Sequence, residues 1–438
     1  MPSSITHSRK CDRPPLRFVI FTGDKEDAEV ILKNVKERFN LDVSSKSLEC
    51  IRLRTRPLLE ASMYPYCTLL LQMLAGFIVG MEALLKCNPE VFIDTMGYPM
   101  TLPVFRWIAG ARVGCYVHYP TISSDMIEGV RSRKPAFNNP EWIARSNFST
   151  TLKVLYYRLC TIIYRVCGIS SEAVMVNGSW TKNHIVNLWK IPARTFLVYP
   201  PCDVDFFMKR NSNAESLLQE EKFVQILSVS QIRPEKNHEL QLRVFSKVKE
   251  WALDSRQDLK FHFVICGGCR NEEDNARVKE LKIHAEALGL TADDLEWALN
   301  VPVERLSGLA ETFVFVFLYF NLLSALLPLF PQRSLIGIHT MNNEHFGISV
   351  VEGLAAGLIM VAHNSGGPKM DIITESKDPK LGFLSSSAEE YLDSIQRILK
   401  LTSEERNSMR KAAKSHIMRF TEKEFDSSWN NSILTLIP

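Results

Sequence analysis

The sequence predicts an α/β protein built from two doubly wound, Rossmann-like domains that face each other across a cleft. Three observations carry this. Short β-rich runs alternate with amphipathic helical stretches along most of the chain, a pattern that yields parallel sheets covered by helices on both faces. The runs are too many for one sheet, and 438 residues are more than a single core usually holds. A segment rich in Pro and Asp, "YPPCDVDFF" at 199–207, interrupts the alternation near its middle. The division that follows is a first domain over 1–200, a second over 205–410, and a terminal helical segment over 411–438.

In the first domain "RFVIFTG", "VFIDT", "RVGCYVHYP", "AVMVNG" and "TFLVYP" read as strands, and "EDAEVILKNVKERFN" as a helix. In the second, "VQILSVS", "FHFVICGG", "SLIGIHT" and "LIMVAHN" are strands, "NARVKELKIHAEALG" is a helix, and "GISVVEGLAAG" is a helix ending at Gly357. Three further stretches raise the question of a membrane. Residues 66–87 are apolar but carry Gln72 and Glu82, short of the roughly 20 clean residues a span needs, and read as a buried helix. Residues 151–169 interleave Lys153, Arg158 and Arg165 with aromatic and aliphatic side chains; they fit an amphipathic helix in the headgroup layer and a plain surface helix equally. Residues 313–330 carry no charge but are broken by Asn321 and Pro328.

Composition narrows the function classes. A net charge of +3 gives no case for nucleic acid and allows only a weak bias toward anionic membrane surfaces. The ten cysteines lack a framework spacing, as expected of reduced thiols facing the cytosol. No apolar signal-peptide core is visible in "MPSSITHSRKCDRPP".

The chemistry concentrates in "NNEHFGISVVEG", residues 342–353. A helix start presents unpaired N–H groups that suit a phosphate, and Gly347 lets it come close. Glu344 lies before that point and Glu352 lies about 6–8 Å beyond it along the axis. The order carboxylate, phosphate site, carboxylate matches a nucleotide sugar: hexose hydroxyls, diphosphate, ribose hydroxyls. Taken alone, the spacing also fits a helix whose acids are simply solvated. A second piece is "RPEKN", directly after the strand "VQILSVS": Arg233 and Lys236 stand where two cations hold a leaving diphosphate, though a solvated polar turn fits as well. A third is the Gly-Gly-Pro turn in "HNSGGPKMD" at 363–371. Two other motifs carry less. Asp203-Val204-Asp205 is a D-x-D, but it lies between the domains, where Arg233 and Lys236 already supply positive charge, so no metal site is expected. Cys266-Gly267-Gly268-Cys269 has no second pair for zinc.

Together these pieces resemble the retaining GT-B glycosyltransferases that carry an E-x7-E motif. "YVHYPTISSDMIEGV", "YPPCDV", "RPEKNH", "GGCRN", "HTMNNEHFGISVVEG" and "AHNSGGPK" narrow the resemblance to the dolichol-pathway α-1,2-mannosyltransferases of asparagine-linked glycosylation, from about Arg17 onward. The resemblance implies transfer of mannose, with retention, from GDP-mannose to a dolichol-diphosphate-linked trimannosyl-chitobiose, as its fourth and fifth mannoses, at the cytosolic face of the endoplasmic reticulum membrane. It implies no cofactor beyond the donor substrate. The expected partners are the donor, the lipid-linked oligosaccharide, the membrane surface and other mannosyltransferases of the pathway, with no nucleic acid. It assigns Glu344 to the transferred mannose, with backbone N–H groups of Phe346, Gly347 and Ile348 around it. Glu352 goes to the ribose, Arg233 and Lys236 to the departing diphosphate, and His118 to the reacting mannose from the first domain.

Two departures stand against that pattern. "RFVIFTGDKEDAEV" resembles the family's second strand, so the first domain is expected to lack its first strand and the Gly-rich loop after it. The block 312–333 interrupts a short link and reads as translated intron. The alternative expectation is therefore a catalytically weak variant that keeps donor binding and acts beside other enzymes of the pathway.

Overall fold

The computed structural model describes residues 17–23, 28–39, 48–133, 145–208, 214–255, 258–269, 271–299, 334–374 and 380–437. The block 312–333 lies outside the described residues. The strands form three sheets, all with parallel pairing. β1 (Phe18–Thr22) and β2 (Leu48–Arg52) make a two-stranded sheet. β3 (Val91–Asp94), β4 (Arg112–Val117), β5 (Ala173–Val176) and β6 (Thr195–Leu197) make a four-stranded sheet in that order. The second domain holds β7 (Phe223–Val229), β8 (Lys260–Gly267), β9 (Leu295–Leu299), β10 (Ser334–His339), β11 (Ile359–His363) and β12 (Phe383–Ser385), in the order β12-β11-β10-β7-β8-β9. β5 and β10 are buried along their whole length. That is why they read as largely apolar runs, with polar residues only at the ends of β10: a parallel strand has helices on both sides.

The strands of the first domain fall into two separate sheets, with the break between β1–β2 and β3–β6. Among the described residues no strand bridges it. Aromatic contacts meet there instead: the ring of fully buried Phe105 stacks on Phe92 of β3 at 3.8 Å and lies 6.2 Å from Phe21 of β1.

Residues 66–87 do form a helix, Thr68–Lys86, but it is not buried as expected. One face, with Met73, Val79 and Ala83, enters the core, and Gly80 on it lies against Thr101 and Val104. Leu71, Leu74, Phe77 and Ile78 face outward. By length and composition alone this helix could cross a membrane. The next long helix, Asn147–Ile169, is capped by Ser146, whose hydroxyl accepts the Ser149 N–H at 3.2 Å. Its exposed residues include Phe148, Leu152, Leu155, Leu159, Ile162, Val166 and Ile169, at steps of four and three. That spacing lays one apolar stripe along the helix.

The terminal segment is two helices, Ser403–Ile417 and Glu422–Ile433, so a boundary at 410 would cut the first of them. A capping box of Thr402 and Glu405 opens it. The second crosses back to the first domain, where Phe425, Trp429 and Ile433 pack on Tyr116, Met175 and Val198. The domains are also clasped by Asp371. Its carboxylate accepts the Ser179 N–H at 2.8 Å and the Ser179 hydroxyl at 2.5 Å, at the start of helix Ser179–Trp189, and the Tyr199 hydroxyl at 2.8 Å.

Candidate active site

In the six-stranded sheet of the second domain β7 and β10 are neighbours, with β8 and β9 on one side and β11 and β12 on the other. This reversal of strand order opens a crevice at the carboxyl ends of β7 and β10, the usual ligand position of such sheets. Both motif loops leave from these two strands. After β7, Pro234–Lys236 forms a single tight turn, and Asn237, in the left-handed region at φ 52°, caps helix His238–Asp254 through its side chain. After β10, the Thr340 hydroxyl donates to the Lys236 carbonyl at 2.8 Å, tying one loop to the other.

The ties bring charges together. Lys236 Nζ lies 2.5 Å from Glu344 Oε2, with both side chains largely buried, and His339 Nε2 is 3.2 Å from the same oxygen. Burial alone would raise the Glu344 pKa, but Lys236 and then His339 outweigh it and hold the carboxyl well below its ordinary range. Arg233, mostly buried, has Glu235 at 3.6 Å.

The Gly-Gly-Pro turn fixes the Glu344 loop from the other side. The Gly367 N–H donates to the Glu344 carbonyl at 2.7 Å. A Cβ on Gly367 would lie 2.3 Å from the Phe346 carbonyl oxygen, so only glycine fits there. Gly347, at φ +106°, precedes helix Ile348–Ala356, whose first N–H groups have no partner within the helix. Phe346 is buried, with its ring near Tyr199 and Phe420. Glu352 does not join the Glu344 group. It lies 2% exposed on the sheet side of the helix, lining a largely apolar cavity of ~20 Å³ with Leu227, Val229, Ser349 and Met360. Neither carboxylate oxygen has a hydrogen-bond partner among the described residues, and burial, then Asp203, pushes its pKa well above the ordinary value.

From the first domain, His118 follows β4, and the Asn177 side chain holds its carbonyl at 2.9 Å. Burial lowers its pKa to about 4, against a backbone hydrogen bond to Thr95. His345 of the second domain lowers it further, which places the two imidazoles near one another. His345 itself is brought to about 4, chiefly by burial, with Glu344 acting in the opposite direction. Its ring lies 4.3 Å from Tyr119 and 5.2 Å from Trp180, both of the first domain. His345, Tyr119, Trp180 and Asp371 were not singled out in the sequence. The signals were that His345 sits inside "NNEHFGISVVEG", Asp371 ends "HNSGGPKMD" and Tyr119 follows His118 in "YVHYPTISSDMIEGV". Asp203, the first acid of the D-x-D, accepts the Phe206 N–H at 3.1 Å. Cys266 and Cys269 are both free thiols.

Comparison with known proteins agrees with this architecture. Residues 4–189 match the family described as ALG11 mannosyltransferase N-terminus, and residues 209–416 match glycosyl transferases group 1. The chain is 44% identical over 421 residues to a Caenorhabditis elegans GDP-Man:Man(3)GlcNAc(2)-PP-Dol alpha-1,2-mannosyltransferase, covering 96% of this chain and 84% of that one. The Homo sapiens protein of the same name is 42% identical over 425 residues, covering 96% and 80%. Among solved structures, a UDP-forming trehalose-phosphate synthase from Burkholderia xenovorans superposes with TM-score 0.64 at 8% identity, over 97% of this chain and 100% of that one. Anabaena Alr3699/HepE in complex with UDP and glucose does so with TM-score 0.58 at 13% identity, over 96% and 99%. These likenesses show the fold, GT-B. The identity to the curated relatives shows more: the chain belongs to the GDP-Man:Man(3)GlcNAc(2)-PP-Dol alpha-1,2-mannosyltransferase family of glycosyltransferases.

Proposed function

We propose that the chain moves mannose from GDP-mannose, with retention, to the dolichol-diphosphate-linked trimannosyl-chitobiose, as the fourth and fifth mannoses of the N-glycan precursor. The observation that carries this is the Lys236–Glu344 pair at the crevice between β7 and β10, with only His345, Phe346 and Gly347 between Glu344 and a helix start that suits a diphosphate. Lys236 and Arg233 stabilise the diphosphate as it departs. Glu344 holds hydroxyls of the mannose, and the N–H groups of Phe346, Gly347 and Ile348 line the loop beside it. Glu352, whose buried oxygens have no partner among the described residues, takes the ribose hydroxyls. His118 faces the mannose from the first domain as a neutral imidazole. The acceptor oxygen bonds to the anomeric carbon on the face that the diphosphate leaves. The anomeric carbon–oxygen bond to phosphate breaks, and the acceptor's proton passes to a diphosphate oxygen. Rate then comes from charge stabilisation and positioning, with no metal.

The acceptor is lipid-linked, so the reaction belongs at a bilayer surface, here the cytosolic face of the endoplasmic reticulum. The apolar stripe of helix Asn147–Ile169, with Lys153, Arg158 and Arg165 on the same helix, suits an anionic lipid surface. The first turn of helix Thr68–Lys86 lies against this helix, since the Tyr156 hydroxyl accepts the Leu70 N–H at 3.1 Å. Replacing Leu155 and Leu159 with Asp should release the protein from anionic vesicles in a sedimentation assay; unchanged binding would reject this face.

The functional assignment is tested by two substitutions. Glu344→Ala should abolish mannose transfer and spare GDP binding, whereas Glu352→Ala should weaken GDP itself. Equal loss of GDP affinity in both would break the division between sugar and ribose.

A further inference from the structure

At the seam between the domains, three rings form a graded stack. Trp180, at the start of helix Ser179–Trp189, is buried at 8% exposure. Tyr119 lies nearly parallel to it, at 7° with 6.1 Å between centroids, and is 42% exposed. His345 touches both rings from the second domain. The backing continues inward, with His184 4.1 Å from Trp180. Beneath the stack, Gly178 leaves room for the His345 backbone: a Cβ there would fall 2.8 Å from the His345 carbonyl oxygen.

Scattered exposed aromatics need no explanation. Tyr119 differs in three respects. It directly follows His118 at the carboxyl end of β4. It is braced by two rings, so its plane is held rather than free to turn. And it reaches the donor loop, because His345 is the neighbour of Glu344 and its own N–H lies 3.2 Å from Glu344 Oε1. A transferase needs a second sugar position beside the donor hexose, on the side of the opposite domain. A hexose ring presents one face rich in C–H groups, which packs on an aromatic plane without any charge.

We propose that Tyr119, braced by Trp180 and His345, is the stacking surface of the acceptor subsite, on which a mannose of the acceptor lays its C–H face. This rests on the mannosyl-transfer reading above. His345 acts as a positioning residue. It joins the acceptor surface to the loop that carries Glu344, so the two sugars are placed by one contact across the domain seam.

The test uses the full chain and two variants, Tyr119→Ala and Tyr119→Phe. In mannose transfer, Tyr119→Ala should raise the acceptor KM about tenfold, while the GDP-mannose KM and the GDP Kd stay within about twofold. Tyr119→Phe should restore the acceptor KM, since the ring and not the hydroxyl does the stacking. An unchanged acceptor KM in Tyr119→Ala overturns the proposal. So does an equal loss of GDP affinity, which would make the ring only a brace for the donor loop. So does a Phe variant as poor as the Ala variant. A second arm is independent of turnover: binding of soluble α-mannotriose to the GDP-saturated protein, followed by saturation-transfer NMR. The unaltered protein should bind it and Tyr119→Ala should lose that binding. Binding here without any transfer would count against the proposed reaction and leave the subsite standing. No mannotriose binding by the unaltered protein would remove the subsite.

Discussion

Gly366→Ala places a methyl group against the loop that carries Glu344. Gly366 has φ +59°, and a Cβ there would stand 2.2 Å from the Glu344 carbonyl oxygen and 2.8 Å from its nitrogen. Real Cβ atoms essentially never come within 3.0 Å of such neighbours, so something must yield by at least 0.8 Å, 3.0 less 2.2. The obstructing atoms are backbone, so no rotamer change relieves the overlap. The loop itself has to shift, straining the Gly367 N–H to Glu344 carbonyl hydrogen bond as it moves. A displacement of about 1 Å at a positioned group can cost about 100-fold in rate. The left-handed backbone adds about 1–2 kcal/mol of strain for an L residue, which falls on stability. The expected outcome is a kcat for mannose transfer lower by about 100-fold, with GDP affinity changed by less than about threefold. Gly129→Ala is the control, because a Cβ there meets nothing within 4 Å. Steady-state transfer from labelled GDP-mannose, with GDP binding measured by titration, reads both quantities. A Gly366→Ala protein within threefold of the unaltered rate would refute the claim that this turn fixes Glu344.

Three further outcomes follow from the site. Fully buried ion pairs cost about 3–5 kcal/mol to break from one side and exposed ones contribute under about 1, so a pair with side chains 14% and 12% exposed should show a coupling of about 2 kcal/mol. Urea unfolding of Lys236→Met, Glu344→Gln and the double variant measures it, and simple additivity would deny the pair any energetic role. Glu352 has a folded pKa well above its ordinary 4.5, so its contribution to stability is present below pH 4.5 and is lost as pH rises through the folded value. Glu352→Gln should therefore gain stability relative to the parent between pH 4.5 and pH 7, and a difference that does not change with pH would contradict the burial argument. Binding of GDP-mannose should survive excess chelator; a loss restored by manganese would bring Asp203 and Asp205 back as metal ligands.

The strands legible in the sequence are those whose neighbours bury them. β5 is an unbroken apolar run because both its faces are buried, and β10, buried likewise, is polar only at its ends, Ser334 and His339. The strands that escaped notice, β2 ("LECIR"), β9 ("LEWAL") and β12 ("FLS"), each stand at a sheet edge. An edge strand is only partly covered, so β2 and β9 carry Glu49 and Glu296 and show no apolar run. The helix Thr68–Lys86 misled for a related reason: its outward face is apolar, so composition did not distinguish buried from exposed. In the site, Arg233, Lys236 and Glu344 were legible because each sits in a short motif at a strand end. Asp371 was not, because what gives it meaning is Ser179, 192 residues away. Tyr119 and His345 likewise acquire a role only when two domains meet.

The helix Glu422–Ile433 bears on how such a chain is made. Its aromatic side chains cover one face of β4 and β5, and Leu436 beyond it fills the space over Gly114, where a Cβ would fall 2.6 Å from the leucine methyl. The first domain thus receives part of its core from residues that are made after the whole second domain. Until then Tyr116, Met175 and Val198 lack their cover. A folding chain must carry that apolar surface through the whole synthesis of the second domain, so chaperone occupancy should persist on the first domain until residues near 436 emerge. A chain shortened before Phe425 should hold a soluble second domain attached to a first domain that stays open.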